Sequence, residues 1–224
     1  MKHHVFQASR SILAAALLVC LAAGCVEVEQ VMIIRGDGGG AITLRYLVDE
    51  QLVAAQASAQ KAITGMQTGE IPADKTAEQL NWILNEERAR AYFPDDNIRL
   101  QRYSSVLRAG KQSVTIECTM DSVSKALASG KFGAFSLVKT ESGPYRLHAD
   151  LPQGGEVSDP VKLERLRALT KGLKLQFIVQ VPGKILTAPG AEIAARTARW
   201  TFNPAQNDAC LKTPPAIDLT YSEK

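Results

Sequence analysis

Histidine, cysteine and paired carboxylates are the residue types that most often carry chemistry, and in this chain they are few and scattered. The 224 residues include three histidines and four cysteines. His3 and His4 stand at the start, so a Ser-His-Asp triad would have to use His148. That residue lies between Leu147 and Ala149 on the outward side of an alternating stretch, and no G-x-S-x-G sequence accompanies it. A zinc site built from several His or Cys ligands lacks its residues. The acid pairs Asp49-Glu50, Glu86-Glu87 and Asp95-Asp96 are adjacent in sequence, and adjacent side chains on a helix point apart. Asp95-Asp96-Asn97 is not followed by the spacing of a calcium loop. Gly183-Lys184 continues with Ile185 rather than the Ser or Thr of a phosphate loop. Arg35-Gly36-Asp37 spells an adhesion tripeptide, but it falls in a glycine-rich stretch that a hairpin turn explains. These residues predict no enzyme, no metal and no cofactor. A net charge of +3 and 6% aromatic content also argue against nucleic acid as a partner.

The cysteine whose surroundings define a reaction is Cys25. Lys2 and Arg10 precede an uncharged run over 11–24 (SILAAALLVCLAAG), too short to span a bilayer comfortably as a helix. It ends in Leu21-Ala22-Ala23-Gly24-Cys25, which resembles the lipobox of bacterial lipoproteins. There the cysteine thiol takes a diacylglycerol and becomes the first residue of the processed chain. An ordinary secretory signal and an uncleaved anchor helix are the alternatives; small residues directly before a cysteine favour the lipobox. The expected organisation is a signal peptide over 1–24, one extracytoplasmic domain over 25–203 and a tail over 204–224. The expected location is the cell envelope, lipid-anchored on the extracytoplasmic side of a bacterial membrane, facing the periplasm from the outer membrane in a Gram-negative host. Cleavage removes Lys2 and Arg10 from the 26 basic residues and none of the 23 acids, leaving a nearly neutral chain. It also removes Cys20, so Cys118 and Cys210 are the remaining thiols. Outside the cytoplasm these two can form a disulfide; alternatively Cys118, on the apolar side of its stretch, is a buried thiol.

Hydrophobic periodicity predicts the elements that carry these residues. Residues 26–35 are rich in β-branched types, residues 36–40 (GDGGG) supply a turn, and residues 41–48 set Ile42, Leu44, Tyr46 and Val48 on one face. This is a β-hairpin with one buried face. Residues 49–66 have an alanine-rich, helical composition. A further helix opens at a Thr76/Gln79 capping box and stops at Pro94. Residues 98–107 and 112–120 predict a second hairpin, residues 121–129 a short helix, and residues 132–139 with 145–151 a third hairpin. Asp159-Pro160 and Gly172 bracket a helix with Leu163, Leu166 and Leu169 on its apolar stripe. Residues 175–181 and 193–202 close a fourth hairpin. The fold class expected is α+β: an antiparallel sheet of about eight strands, able to curl on its twist and enclose a cavity, with two to four helices on one face.

Lys162, Arg165, Arg167, Lys171 and Lys174 stand against Asp159 and Glu164 along the helix after Asp159-Pro160 and the start of the next strand. A basic face beside a lipid anchor can hold anionic head groups; the bland reading is a solvated helix face.

Two stretches resemble LppM-like bacterial lipoproteins. One is Val31-Met-Ile-Ile-Arg-Gly-Asp-Gly-Gly-Gly-Ala-Ile-Thr-Leu-Arg-Tyr46 after the lipobox. The other is Phe177-Ile-Val-Gln-Val-Pro182-Gly183-Lys-Ile followed by Ala198-Arg-Trp200-Thr-Phe202. The resemblance covers about a quarter of the processed chain and implies an extracytoplasmic α+β domain that binds or handles envelope lipids. Family members often carry a C-terminal transmembrane helix, and nothing after Pro204 has that character. The shared positions are turn glycines, a strand-ending proline and a tryptophan, so no functional residue is carried over. The expected function is therefore a membrane-anchored, non-catalytic lipoprotein that binds envelope lipid or another hydrophobic ligand. The alternative is a structural or assembly lipoprotein that docks an envelope protein.

Overall fold

The structure, a computed structural model, describes residues 26–49, 85–133, 135–141, 143–150, 159–207, 209–212 and 216–223; of Asp150, Arg165, Leu169 and Lys212 it describes the backbone only. The leader, Cys25, the alanine-rich helix beyond Asp49 and the Thr76 cap lie outside these residues. The first hairpin forms where alternation places it. β1 (Val26–Ile34) and β2 (Gly40–Asp49) pair antiparallel, with Val26 opposite Val48 and Ile34 opposite Gly40. A short helix, α1 (Glu86–Tyr92), is capped by the Asn85 side chain accepting from the Arg88 N–H, and Pro94 follows its C-cap Phe93. The second hairpin is β3 (Ile98–Arg108) with β4 (Lys111–Met120). Then come α2 (Val123–Ala128), capped by Ser122, and the third hairpin, β5 (Phe135–Lys139) with β6 (Tyr145–Asp150). α3 (Pro160–Thr170) starts at Asp159, whose carboxylate accepts from the Val161 N–H at 2.9 Å. The remaining elements are β7 (Leu173–Gln180), β8 (Ile185–Thr187), β9 (Glu192–Ala194), β10 (Thr197–Phe202), α4 (Ala209–Lys212) and β11 (Ala216–Tyr221).

The strands assemble into two sheets, which corrects the expected single antiparallel sheet under helices. One has seven strands in the order β3-β4-β2-β1-β7-β10-β9, and the other four in the order β5-β6-β11-β8. The larger sheet is mixed, because β1 and β7 run parallel, with Val26 beside Leu173 and Ile33 beside Gln180. Neither sheet curls into a cavity-enclosing wall, and among the described residues the helices are few and short. The physical reason lies in the second layer. Leu147 and Ala149 on β6, and Ile217, Leu219 and Tyr221 on β11, alternate with polar residues and are at most 2% exposed. Their apolar face does for the large sheet what helices were expected to do, and two packed sheets relieve the twist that a single wide one accumulates. Phe135 of the small sheet meets Phe177 of the large one with ring centroids 5.9 Å apart. β11 comes from the segment read as a tail, so the fold extends through it.

Between β7 and β8 the chain passes from one sheet to the other through Pro182 and Gly183. The Ser222 N–H donates to the Lys184 carbonyl at 2.9 Å, and Lys184 N–H donates to the Ser222 hydroxyl at 3.0 Å. A Cβ at Gly183 would sit 2.0 Å from the Ser222 carbonyl oxygen, so only glycine allows the two backbones to approach this closely.

One core residue breaks the apolar pattern. Gln30, 5% exposed, sits on the inner face of β1 between Leu44 of β2 and Phe177 of β7 in register. Its amide nitrogen Nε2 is buried with no hydrogen-bond partner among the described residues. An unpaired buried donor carries a desolvation cost of about 1–3 kcal/mol. Gln30→Met keeps the chain length without the amide, and is expected to raise unfolding free energy by about 1–2 kcal/mol in urea titration. A destabilised variant would mean the amide has a partner in solution.

Candidate functional site

The two sheets part at one end and leave a cleft of about 270 Å³. Its walls are built by Ile34, Arg35, Gly36 and Gly38 where β1 ends, Ser122 and Ser124 at the start of α2, Leu137 and Lys139 on β5, Tyr145 on β6 and Tyr221 on β11, with Pro182 and Glu223 at the margin. Alternation explains the composition, since Leu137, Tyr145 and Tyr221 belong to the inward rows of the small sheet. Tyr145 and Tyr221 are register partners, and their rings stack at 5.4 Å and 14°. Burial, and then the neighbouring Tyr145, push the Tyr221 phenol above its ordinary range, so it stays neutral.

The rim is charged. Lys139 Nζ donates to Glu223 at 2.8 Å and lies 5.3 Å from the centre of the Tyr145 ring. The hydrogen bond to Glu223 raises the Lys139 pKa, and the same ammonium holds the Glu223 carboxyl below its usual range. Across the cleft, Arg35 reaches the Gly40 carbonyl at 3.4 Å and Asp37 at 3.5 Å. Asp37 folds back to accept from the Gly39 N–H at 2.9 Å, which chiefly lowers its pKa. Arg35 and Asp37 thus face each other within one turn, a hairpin arrangement rather than a displayed adhesion motif. Chemically, the cleft offers two stacked tyrosines, the apolar Ile34 and Leu137, two serines and two cations, each already paired with a carboxylate. That combination suits an apolar or aromatic body with a polar end.

His148 stands between buried Leu147 and Ala149 as its alternation requires, but it is not freely solvated. Its Nδ1 lies 3.4 Å from the Asp218 carboxylate, and the side chain is 33% exposed. In register, Ser136 of β5, His148 of β6 and Asp218 of β11 form one row across the small sheet. The Asp218 carboxylate is engaged by Arg146, whose Nε lies at 3.0 and 3.2 Å from its oxygens and whose hydrogen bond chiefly lowers its pKa. The row lies on the outward face of the sheet, away from the cleft. Sequence reasoning missed this alignment because His148 and Asp218 are 70 residues apart and their pairing depends on β11.

Cys118 and Cys210 are separate thiols rather than a disulfide. Cys118 is buried on β4, and burial pushes its pKa up to about 12, the behaviour of an inert core thiol. Cys210, partly exposed on α4, donates to the Asn207 carbonyl at 2.9 Å. The five basic residues expected to make one face are spread out. Lys162 and Lys171, nine positions apart, stand on roughly opposite sides of α3 at about 100° per residue. Arg167 is paired with Glu164, and Lys174 lies 3.7 Å from Glu27. Arg165 lies on α3 with only its backbone described. Among the described residues no cluster of three or more His, Cys, Asp or Glu has the spacing to hold a metal, and no helix is long and apolar enough to cross a membrane.

No protein-family model matches the chain, and no curated protein matches it. Among solved structures, the NMR structure of the folded domain of Mycobacterium tuberculosis LppM is distantly similar. The match covers 89% of this chain and 91% of that one, at TM-score 0.42 and 13% identity. No residue or activity is transferred from it.

Proposed function

We propose that this chain is a membrane-anchored, non-catalytic bacterial lipoprotein whose two-sheet domain binds an envelope lipid or another hydrophobic ligand in the cleft between the sheets. The observation that carries the ligand reading is the stacked Tyr145–Tyr221 pair beside Lys139 and Arg35 in the lining of the cleft. The anchoring reading rests on the lipobox-like sequence at Cys25, on the extracytoplasmic side of the membrane. Val26 supports it: the residue is buried, and its N–H donates to the Gly172 carbonyl at 2.9 Å. The chain therefore enters the sheet directly after Cys25, without a linker. The cleft lies at the other end of β1, about 30 Å away at the rise of an extended strand, so it faces away from the anchoring membrane.

Native mass spectrometry of the chain from Val26 onward tests this. A discrete excess mass that extracts into organic solvent is expected. Tyr145→Ala with Lys139→Glu should lower its occupancy several-fold, while Lys162→Glu should leave it unchanged. A clean mass with no uptake from mixed vesicles overturns ligand binding and favours docking of an envelope protein. That second reading has its own support in Val138 and Leu186, exposed on the two edge strands β5 and β8.

A further inference from the structure

On the outward face of the seven-stranded sheet, one register row crosses every strand. Arg102 of β3 pairs with Glu117 of β4, Glu117 with Thr43 of β2, and Thr43 with Val31 of β1. Val31 then pairs with Ile178 of β7, Ile178 with Arg199 of β10, and Arg199 with Glu192 of β9. Alternation turns these side chains away from the core, whose neighbouring residues Ile116, Leu44, Phe177 and Trp200 are buried. None of the seven is buried, and Ile33, next in the same outward series on β1, is 38% exposed. Val31, Ile33, Ile178 and Ala41, the partner of Ile33, make an aliphatic centre on the middle strands.

Across the sheet the row runs positive, negative, neutral, aliphatic, aliphatic, positive, negative. Reversed, every charge falls on its opposite. A second copy turned through 180° about the line of β1 presents that reversed row. Arg102 then faces Glu192, Glu117 faces Arg199, and Thr43 faces Ile178. Val31 faces Val31, with Ile33 on Ile33 beside it. Turning the copy about the row instead sets Arg102 on Arg102 and Glu117 on Glu117, so charge selects the first axis. Glu29 lies on that axis too, but Arg45 holds it at 2.6 Å, and the second copy's Arg45 arrives one strand to its side. Six strand spacings make the face about 29 Å wide, and the outward positions from Glu27 to Ile33 span about 20 Å. Two such patches cover about 1,200 Å² together, above the ~1,000 Å² that a specific pairing requires.

We infer that two copies of the chain pair back to back through the outward faces of their seven-stranded sheets, with the two-fold axis along β1. That axis leaves both β1 strands running the same way. Both copies therefore enter their sheets from one side, and both Cys25 anchors reach the same bilayer, with the two clefts at the far end. The rejected axis would send the anchors in opposite directions. The membrane geometry rests on the anchoring reading; the pairing rests on the row alone and not on ligand binding in the cleft.

Pulsed dipolar spectroscopy on the full-length lipidated chain tests it, in a Cys210→Ser background that leaves the buried Cys118 in place. Each chain carries one spin label at Ser104→Cys, outward on the edge strand β3, and is reconstituted in phosphatidylcholine vesicles. The expected separation is about 30 Å, from six strand spacings across the face and the gap between packed sheets. Glu117→Arg alone and Arg199→Glu alone should each cut the coupled fraction several-fold. Combined, they restore opposite charges across the axis and should recover it, which separates lost complementarity from lost folding. Coupling no stronger than that of randomly placed chains overturns the pairing. A separation below ~20 Å overturns the axis along β1. A 30 Å coupling that neither charge reversal moves overturns the assigned face. A chain without acyl mass overturns the anchoring reading, and the pairing then stands or falls on the same separation measured in solution.

Discussion

Replacing Trp200 with alanine is expected to remove about 3–5 kcal/mol of unfolding free energy, a large share of the 5–15 kcal/mol typical of a domain. Trp200 is 1% exposed on β10, directly opposite Phe177 on β7, and Phe177 in turn touches Phe135 of the small sheet. The indole thus stands behind the ring contact that joins the two layers. Its Nε1–H donates to the Pro189 carbonyl at 2.9 Å, which ties the strand to the loop between β8 and β9. Alanine leaves a cavity and an unpaired carbonyl together, and both effects have the same sign. Trp200→Phe keeps one ring and loses the donor with the rest of the indole, so a smaller loss of about 1–3 kcal/mol is expected. Urea unfolding followed by circular dichroism should show the midpoints falling in that order with the slope unchanged. A loss below about 1 kcal/mol for the alanine variant would mean the inter-sheet core repacks around the hole.

What could be read from the sequence follows the range of its signals. Turn chemistry and alternation are local, and the three hairpins built on 36–40, 108–111 and 141–144 form where those signals lie. The Asp159-Pro160 helix start is equally local. The parallel pairing of β1 with β7 joins Val26 to Leu173, and no spacing within either strand records it. The small sheet was hidden for a different reason. Ile217, Leu219 and Tyr221 alternate with Asp218 and Thr220, a strand signal as clear as that of β2, but the stretch from Pro204, with Pro214-Pro215 just before them, reads as a tail. Once β11 is absent, Tyr145 has no stacking partner, Asp218 no neighbour at His148, and the cleft no floor. The basic residues between Lys162 and Lys174 show the opposite failure. Sequence proximity groups them, and helical geometry separates them.

Cys25→Ser is expected to abolish acylation and move the chain from the membrane pellet into the soluble fraction. The reaction needs a sulfur nucleophile, and a serine hydroxyl in the same place is far less reactive at neutral pH. Two or more acyl chains hold a protein at the bilayer stably, at about 0.8 kcal/mol per buried CH₂. The substitution should not disturb the domain, because Val26, the first described residue, is held by its own backbone bond to the Gly172 carbonyl. An unchanged thermal midpoint therefore accompanies loss of the anchor. The alternatives leave different signatures in the same fractions. An uncleaved anchor helix predicts a Cys25→Ser chain that stays in the pellet at its full mass after carbonate extraction. An ordinary secretory signal predicts a wild-type chain that is soluble and unmodified from the outset. With a lipid anchor, the wild-type chain alone carries the diacylglyceryl mass, and the Cys25→Ser chain is soluble without it.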